Sequence, residues 1–266
     1  MTLPHWSCAF GTSRRASRDD RIDLPPPSMT ADVVRHPVMV QRWTDVVFLH
    51  WRYDPCEVQR LLPPGVVVDE YEGSAWVALV PFRMEGLGFP GLAPLPIVGT
   101  FPEVNVRTYV RAGGRRGVWF FSLDVDRLLP ALVARGAYHL PYCAGRADHV
   151  RVDDYVSTRV ERRWPRAQRG AATAVVVRTG SAVDPHDPLV RFLICRWGLI
   201  SATRGDRLRY APVDHPTWPL HEAHALTLDD HLVTAAGLPA PVGPPHVLWS
   251  PGVDVRVGRP RRLPIV

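Results

Sequence analysis

The amino-acid sequence predicts an α+β fold made mainly of antiparallel strands, with about three helices. Three observations support this class. Apolar runs of strand length recur along the chain, turn residues separate many of them, and helical patterns are few. A parallel sheet would require a helix after almost every strand, which the sequence does not provide.

Each element has its own local signal. Asp54 and Pro55 supply the N-cap and the first-turn proline of a short helix that ends near Leu62, and Asp187 and Pro188 do the same for a second helix. Strands are expected at Val46–Leu49, Val66–Asp69, Ala75–Phe82, Glu103–Arg111, Gly117–Asp124, Tyr155–Trp164, Ala171–Arg178, Leu208–Val213, His246–Trp249 and Val253–Val257. Helices are expected near 54–62, 126–137, 188–197 and 228–236. Residues 70–74 are predicted to join two strands in a hairpin, and the Gly/Pro-rich stretch 86–99 is a candidate lid.

The domain organisation is simple. Residues 1–28 mix arginine, serine, aspartate and proline, a composition typical of a disordered tail. Residues 29–258 contain no polar linker and are predicted to form a single domain, followed by a basic C-terminal tail at 259–266. Met29 is an alternative start of the chain.

Charge and hydropathy limit the classes of partner. The net charge is +6, but eight of the 32 basic residues and only three of the 26 acidic ones lie before residue 29 or after residue 255, so the domain between is nearly neutral. No groove-reading motif accompanies the charge, and we therefore expect no nucleic-acid partner.

Apolar runs are too short for a membrane span and the N-terminus has no apolar signal core, which predicts a cytoplasmic protein without a membrane partner. Oligomer formation stays open.

The sequence contains no lysine. All 32 basic residues are arginines, a bias typical of a GC-rich genome. Since a Schiff base requires a primary amine, no side chain of this protein can form one with a carbonyl substrate. Nucleotide-binding and redox-cofactor motifs are also absent, and no cofactor is expected.

The strand from Glu103 to Arg111 carries the most informative pattern. Side chains alternate between the two faces of a strand. One face is polar and consists of Glu103, Asn105, Arg107, Tyr109 and Arg111, whereas valines and a threonine form the other. The polar face is predicted either to meet water or to line an internal cavity, and residues that can hydrogen-bond one another and a ligand favour the cavity. The next strand is apolar on both faces until Ser122, which predicts burial and adds Ser122 to the candidate ligand-binding residues.

Histidines give a second set of candidates. His221, His224 and His231 follow no metal-binding spacing, and no metal site is expected. His50 lies between Leu49 and Trp51, an apolar context that favours a satisfied core histidine over a catalytic one, and it is kept as a candidate ligand-binding residue.

Five motifs, taken in order, resemble the YqjF-like family, a domain of unknown function similar in fold to acetoacetate decarboxylase. They are Leu62-Pro63-Pro64-Gly65 with Val68-Asp69, Val80-Pro81-Phe82-Arg83-Met84, the run from Glu103 to Val110, the run from Gly117 to Asp124, and Leu140-Pro141-Tyr142. The resemblance spans about residues 35–258 and implies a cone or barrel of antiparallel strands around an internal cavity.

The resemblance also assigns roles. Glu103 resembles the decarboxylase glutamate, and Pro141-Tyr142-Cys143 falls where Pro-Lys-Lys would supply the Schiff-base lysine. Tyr142 thus stands in place of the nucleophile, so the fold carries over but the Schiff-base chemistry does not.

These observations favour a small-molecule protein that acts on a carbonyl or carboxylate compound by acid/base and electrostatic catalysis. Glu103 would move protons, Arg107 would hold an anionic oxygen and Tyr142 would donate a hydrogen bond, while Asn105, Tyr109, Ser122 and His50 would contact ligand. A non-catalytic binding protein on the same fold and a metal-dependent hydrolase are the alternatives.

Overall fold

A computed structural model describes residues 33–93, 99–126, 139–203, 205 and 207–264. Its strands are β1 (Pro37–Tyr53), β2 (Val67–Val68), β3 (Ala75–Gly88), β4 (Phe101–Ala112), β5 (Arg115–Val125), β6 (Tyr142–Val152), β7 (Tyr155–Trp164), β8 (Ala172–Ala182), β9 (Gly198–Ala202), β10 (Leu208–Asp214), β11 (His221–Asp230), β12 (His246–Gly258) and β13 (Arg261–Arg262). Three short helices, α1 (Pro55–Gln59), α2 (Pro188–Ile194) and α3 (Leu232–Ala235), complete the described part with a 3₁₀ turn at Arg166–Gln168. The predicted α+β class is confirmed.

The strands close into two rings that share a common wall. Strands β12, β1, β3, β4 and β5 form this wall through antiparallel pairing. The free edge of β5 divides, since Val118 pairs with β9 whereas Leu123–Val125 pairs with β6, and both of these pairings are parallel. The free edge of β12 divides in the same way between β11 and β10. One ring therefore closes through β6, β7, β8 and β11 into a nine-stranded barrel, and a smaller ring closes through β9 and β10.

Each ring encloses its own hydrophobic core. Side chains of the shared wall alternate between the two faces of each strand and therefore contribute to both cores. Val47, Leu49, Val104 and Val106 point into the nine-stranded barrel and pack against valines of β7 and β8. Neighbouring side chains such as Phe48 and Val80 point the opposite way, into the smaller ring, where they meet residues of α2 and β10. A strand of the shared wall is thus buried on both faces, and its polar residues are buried with it.

Local sequence explains the helix starts. The Asp54 carboxylate accepts a hydrogen bond from the backbone N–H of Cys56 at 2.7 Å, and Asp187 accepts one from Val190 at 2.9 Å. Each aspartate is followed by proline at the first helical position, as predicted.

Several local expectations differ from the structure. Residues 70–74 do not join β2 to β3 in a hairpin, because β2 pairs with β4 instead. Of the predicted helix at 228–236, residues 228–230 belong to strand β11 and only Leu232–Ala235 is helical. The two strands expected around Gly252 are one continuous strand, β12, in which Gly252 has a φ of 125° and lies against the backbone of β1. Strands β6, β9, β11 and β13 are not among the strands expected from the sequence.

Other expectations concern the tails and loops. Residues 1–28, the helix near 126–137 and the centre of the Gly/Pro-rich stretch 86–99 lie largely outside the described residues. The beginning of that stretch extends β3 to Gly88. The basic segment after residue 258 packs on the domain, since Arg261 and Arg262 pair with β10 and Leu263 is buried.

Candidate functional site

An internal cavity of about 120 Å³ lies within the smaller ring. Glu103, Asn105 and Arg107 of β4 line its polar end together with Tyr142 and Arg196. They reach the cavity because the alternation of β4 directs them away from Val104 and Val106, which fill the nine-stranded barrel. Aromatic side chains also line the cavity, namely Trp43, Phe48, Phe82, Phe120, His215 and Trp218.

Glu103 is the buried acid of the cavity, with only 3% of its surface exposed. The Tyr142 hydroxyl donates a hydrogen bond to Glu103 Oε2 at 3.3 Å, and the Asn105 amide also bonds to the carboxyl group. Burial raises the pKa of Glu103 to about 8, and the nearby Asp124 carboxylate adds to the rise, whereas the two hydrogen bonds oppose it. Glu103 is therefore mostly protonated at neutral pH, with its ionised form accessible.

Arg107 lies on the same face of β4 as Glu103, four residues further along the strand with Asn105 between them. Its guanidinium carbon lies 5.5 Å from the ring centroid of Phe48 and 5.8 Å from that of Tyr109, so aromatic faces hold it in place. Its Nε is buried and, among the described residues, has neither a hydrogen-bond partner nor a carboxylate in salt-bridge contact. Arg107 thus brings an uncompensated positive charge to the cavity.

Arg196, just after α2, is a second cation that sequence analysis did not single out. Its Nη1 donates to Asp69 Oδ2 at 2.6 Å and its Nε donates to the Phe192 carbonyl at 2.8 Å. Burial lowers the pKa of Arg196, and the Asp69 carboxylate counteracts this effect. The remaining nitrogen, Nη2, is buried and has no partner among the described residues.

The ionic balance of the polar end follows from these contacts. Asp69 compensates Arg196 and also contacts Arg111 and Arg116 at 3.3 and 3.1 Å, so three guanidinium groups surround one carboxylate. Glu103 contributes little negative charge at neutral pH because it is mostly protonated. The polar end is therefore electropositive and offers unsatisfied N–H donors, an arrangement that stabilises a carboxylate or an enolate oxygen.

Two predicted ligand-binding residues, His50 and Tyr109, lie behind the cavity wall. His50 Nε2 and the Tyr109 hydroxyl are 2.7 Å apart, both side chains are fully buried, and neither lines the cavity. Burial and the Arg107 charge hold the pKa of His50 well below its usual value. These two side chains support the aromatic surface on which Arg107 rests.

Ser122 is placed on the wrong face of β5 to contact a ligand in this cavity. The cavity is lined by the adjacent Leu123, and alternation directs Ser122 to the opposite side, where its hydroxyl donates to Asp124 Oδ2 at 3.2 Å. Asp124 is held by two 2.6 Å hydrogen bonds from the fully buried Arg162. The prediction that Ser122 binds ligand is not supported by this position.

Tyr142 begins β6, next to the point where β5 changes partner. Leu123 of β5 pairs with Tyr142, which brings the tyrosine hydroxyl to Glu103. Cys143 is buried on the other side of β6 and does not line the cavity.

The candidate metal ligands lie apart from this site. His221 and His224 are on β11, where His221 packs on the Trp249 ring, and His231 follows the strand end. No group of three His, Cys, Asp or Glu side chains in the described ranges could hold a metal ion. Within the same ranges, no helix is long and apolar enough to cross a membrane.

Gln41 and His215 are further residues that sequence analysis missed. Both line the cavity and also a neighbouring open groove of about 820 Å³. His215 packs between Trp197 and Trp218, and burial lowers the pKa of His215 to about 4. Its Nδ1 lies 2.7 Å from the Pro216 carbonyl, which can only accept, so Nδ1 carries the proton and Nε2 is an acceptor.

The fold is that of the acetoacetate decarboxylase-like proteins. Over 96% of its length, the chain resembles the acetoacetate decarboxylase of Legionella pneumophila with a TM-score of 0.63 and 14% identity, and 98% of that chain is covered. It also resembles the enduracididine biosynthesis enzyme MppR complexed with pyruvate, with a TM-score of 0.61 and 15% identity over 88% of this chain and 93% of that one.

The chain belongs to the family described as "Uncharacterized conserved protein" (domain of unknown function 2071), whose model matches residues 40–254. It is 34% identical over 223 residues to the uncharacterized protein YqjF of Bacillus subtilis, which covers 82% of this chain and 89% of that protein. The resemblance identified from the sequence motifs is thereby confirmed.

Proposed function

We propose that this protein binds a small carbonyl compound bearing a carboxylate, and that it catalyses proton transfer at the carbon next to the carbonyl without a covalent iminium. The observation that carries the proposal is the pairing of a buried carboxyl group of raised pKa, Glu103, with the uncompensated cation Arg107 in one cavity. Acid and base catalysts work best with a pKa near the operating pH.

Each side chain has a defined role. The ionised Glu103 removes a proton from the substrate carbon, which leaves negative charge on the carbonyl oxygen. Arg107 and the unpartnered Nη2 of Arg196 stabilise the substrate carboxylate and this developing enolate. Tyr142 donates to Glu103 and stabilises its ionised form. Protonation of the enolate by Glu103 completes the cycle.

Other facts support a lysine-independent route. With no lysine in the sequence, the electron sink of a Schiff base is unavailable, so charge stabilisation must replace it. MppR, a protein of the same fold, has been captured with pyruvate, and a cavity of about 120 Å³ suits a ligand of that size. Small 2-oxo acids are therefore the first substrates to test.

The test is exchange of the methyl protons of pyruvate in heavy water, followed by NMR. We expect the wild-type protein to accelerate exchange and the rate to rise with pH through about 8, because the ionised form of Glu103 is the base. Glu103→Gln preserves shape and should slow exchange about a hundredfold or more. The exposed Glu222 gives a matched control, and Glu222→Gln should exchange at the wild-type rate.

Binding without exchange would contradict catalysis and favour the non-catalytic binding protein. Calorimetric titration of pyruvate into wild-type protein measures binding separately from catalysis, because Arg107 and Arg196 would hold the carboxylate in either case. If the protein only binds, Arg107→Ala should weaken its affinity for pyruvate, and neither protein should catalyse exchange.

A further inference from the structure

The cavity and the groove are neighbours that share two lining residues, Gln41 and His215. The segment from Asp214 to Trp218 runs between them, with Pro216 and Thr217 on the groove, Trp218 on the cavity and His215 on both. Gln41 of β1 lies on both as well. Gln41 and His215 therefore form the boundary that a ligand with its head in the cavity would have to pass to reach the groove.

The cavity by itself has room only for a small ligand. The cavity, at about 120 Å³, is smaller than the roughly 150 Å³ of an engineered apolar cavity that binds benzene. It holds a short oxo-acid head at its polar end but not a head and a ring together. The groove, at about 820 Å³, is far larger than the head needs.

The wall of the cavity is aromatic, and two of its residues, Trp43 and Trp218, are next in sequence to the groove residues Arg42 and Thr217. The rings of Trp43 and Trp218 are stacked with centroids 6.0 Å apart and an angle of 16° between their planes. Phe82 meets Trp43 edge-on at 5.7 Å, and Phe48 meets Trp218 edge-on at 5.3 Å. A flat apolar group passing this wall gains both buried area and ring contacts.

The groove selects against a charged substituent. Its charged side chains are already paired: Arg42 with Asp254 at 3.1 Å, Arg256 with Asp214 at 2.6 Å, and Glu85 with Arg83 at 3.3 Å. His215, at the boundary, is neutral and offers only an acceptor nitrogen. Each of these charged side chains thus has its counter-charge within salt-bridge distance, and no cluster of cations that could bind a phosphate is present among the described residues that line the groove.

We infer that the substrate is a 2-oxo acid with an uncharged aryl or similarly flat apolar substituent, whose head occupies the cavity and whose substituent passes Trp43 and Trp218 into the groove. This inference rests on the proposed function, because it assigns the oxo-acid head to Arg107 and Arg196. It adds the chemical class of the rest of the molecule.

The test compares phenylpyruvate with pyruvate by calorimetric titration of the full-length protein. Phenylpyruvate should bind at least about tenfold more tightly, since the ring buries apolar area that pyruvate lacks. Thr217 is exposed on the groove, and Thr217→Trp should reduce this ratio by filling the space. Val242 is 88% exposed and does not line the groove, so Val242→Trp should keep the wild-type ratio.

The outcomes separate the two proposals. Equal affinities for the two acids would overturn the inference while the oxo-acid function stands. A higher affinity for phenylpyruvate that Thr217→Trp leaves unchanged would also overturn it, because the ring would then lie elsewhere. Absence of binding by both acids would overturn the inference together with the proposed function.

Discussion

The raised pKa of Glu103 predicts that this one carboxyl group makes the protein less stable as pH rises. Glu103 has a pKa of about 8 in the folded protein, against an ordinary value of 4.5, chiefly because burial disfavours its charged form. Between these pH values the folded state keeps the proton and the unfolded state releases it, so the free energy of unfolding falls as pH increases. The stabilisation is complete below about 4.5 and is lost as pH passes through 8.

The magnitude follows from the same values. Each pH unit in this window is worth about 1.4 kcal/mol, so the full window amounts to about 5 kcal/mol. Glu103→Gln keeps the shape of the side chain and removes the titration. Relative to wild type, the variant should therefore gain about 5 kcal/mol of stability between pH 4.5 and pH 9.

Urea denaturation of both proteins at pH 4.5, 7 and 9 measures this difference. Buried histidines such as His149 and His215 have lowered pKa values and give an opposite pH dependence, but both proteins share them and they cancel in the comparison. Glu222→Gln, at an exposed site, should show no pH-dependent difference from wild type. A difference between wild type and Glu103→Gln that stays constant over this range would refute the burial argument.

Three further predictions concern charge and covalent chemistry. Arg107→Ala should lower the rate of pyruvate proton exchange about a hundred- to a thousandfold while circular dichroism shows an intact fold, and an unchanged rate would remove Arg107 from the site. Arg162→Met should cost about 3 to 5 kcal/mol in chemical denaturation, because it leaves the buried Asp124 carboxylate without its 2.6 Å partners. Arg42→Met, which breaks the exposed 3.1 Å pair with Asp254, should cost less than about 1 kcal/mol, and equal losses would contradict the burial argument. Borohydride reduction in the presence of pyruvate should leave no adduct on any side chain by mass spectrometry, and an adduct would disprove the lysine-independent route.

The polar face of β4 was predictable because alternation is a local property of a strand. Glu103, Asn105 and Arg107 are two residues apart, so once one of them faces the cavity the others do as well. Helix starts were predictable for the same reason, since the N-cap Asp187 acts on the backbone three residues away.

Long-range pairing decided the rest of the site. Arg196 lies after a helix that ends at Ile194, and the carboxylate that holds it belongs to Asp69, 127 residues earlier in the chain. The polar character of Ser122 was evident in the sequence, but its face depends on how β5 pairs with its neighbours. No local pattern contains this information.

The sequence by itself determined the α+β class, the family motifs, the alternation of β4 and the absence of any lysine nucleophile. All of these depend on residue identity and on spacings of a few residues. Only the tertiary structure decided that the edges of β5 and β12 divide between two rings, because hydrogen bonds between distant segments set that division. The division creates two cores on opposite faces of one wall, and it thereby assigns Glu103, Arg107 and Arg196 to a common cavity and Ser122 to the other side.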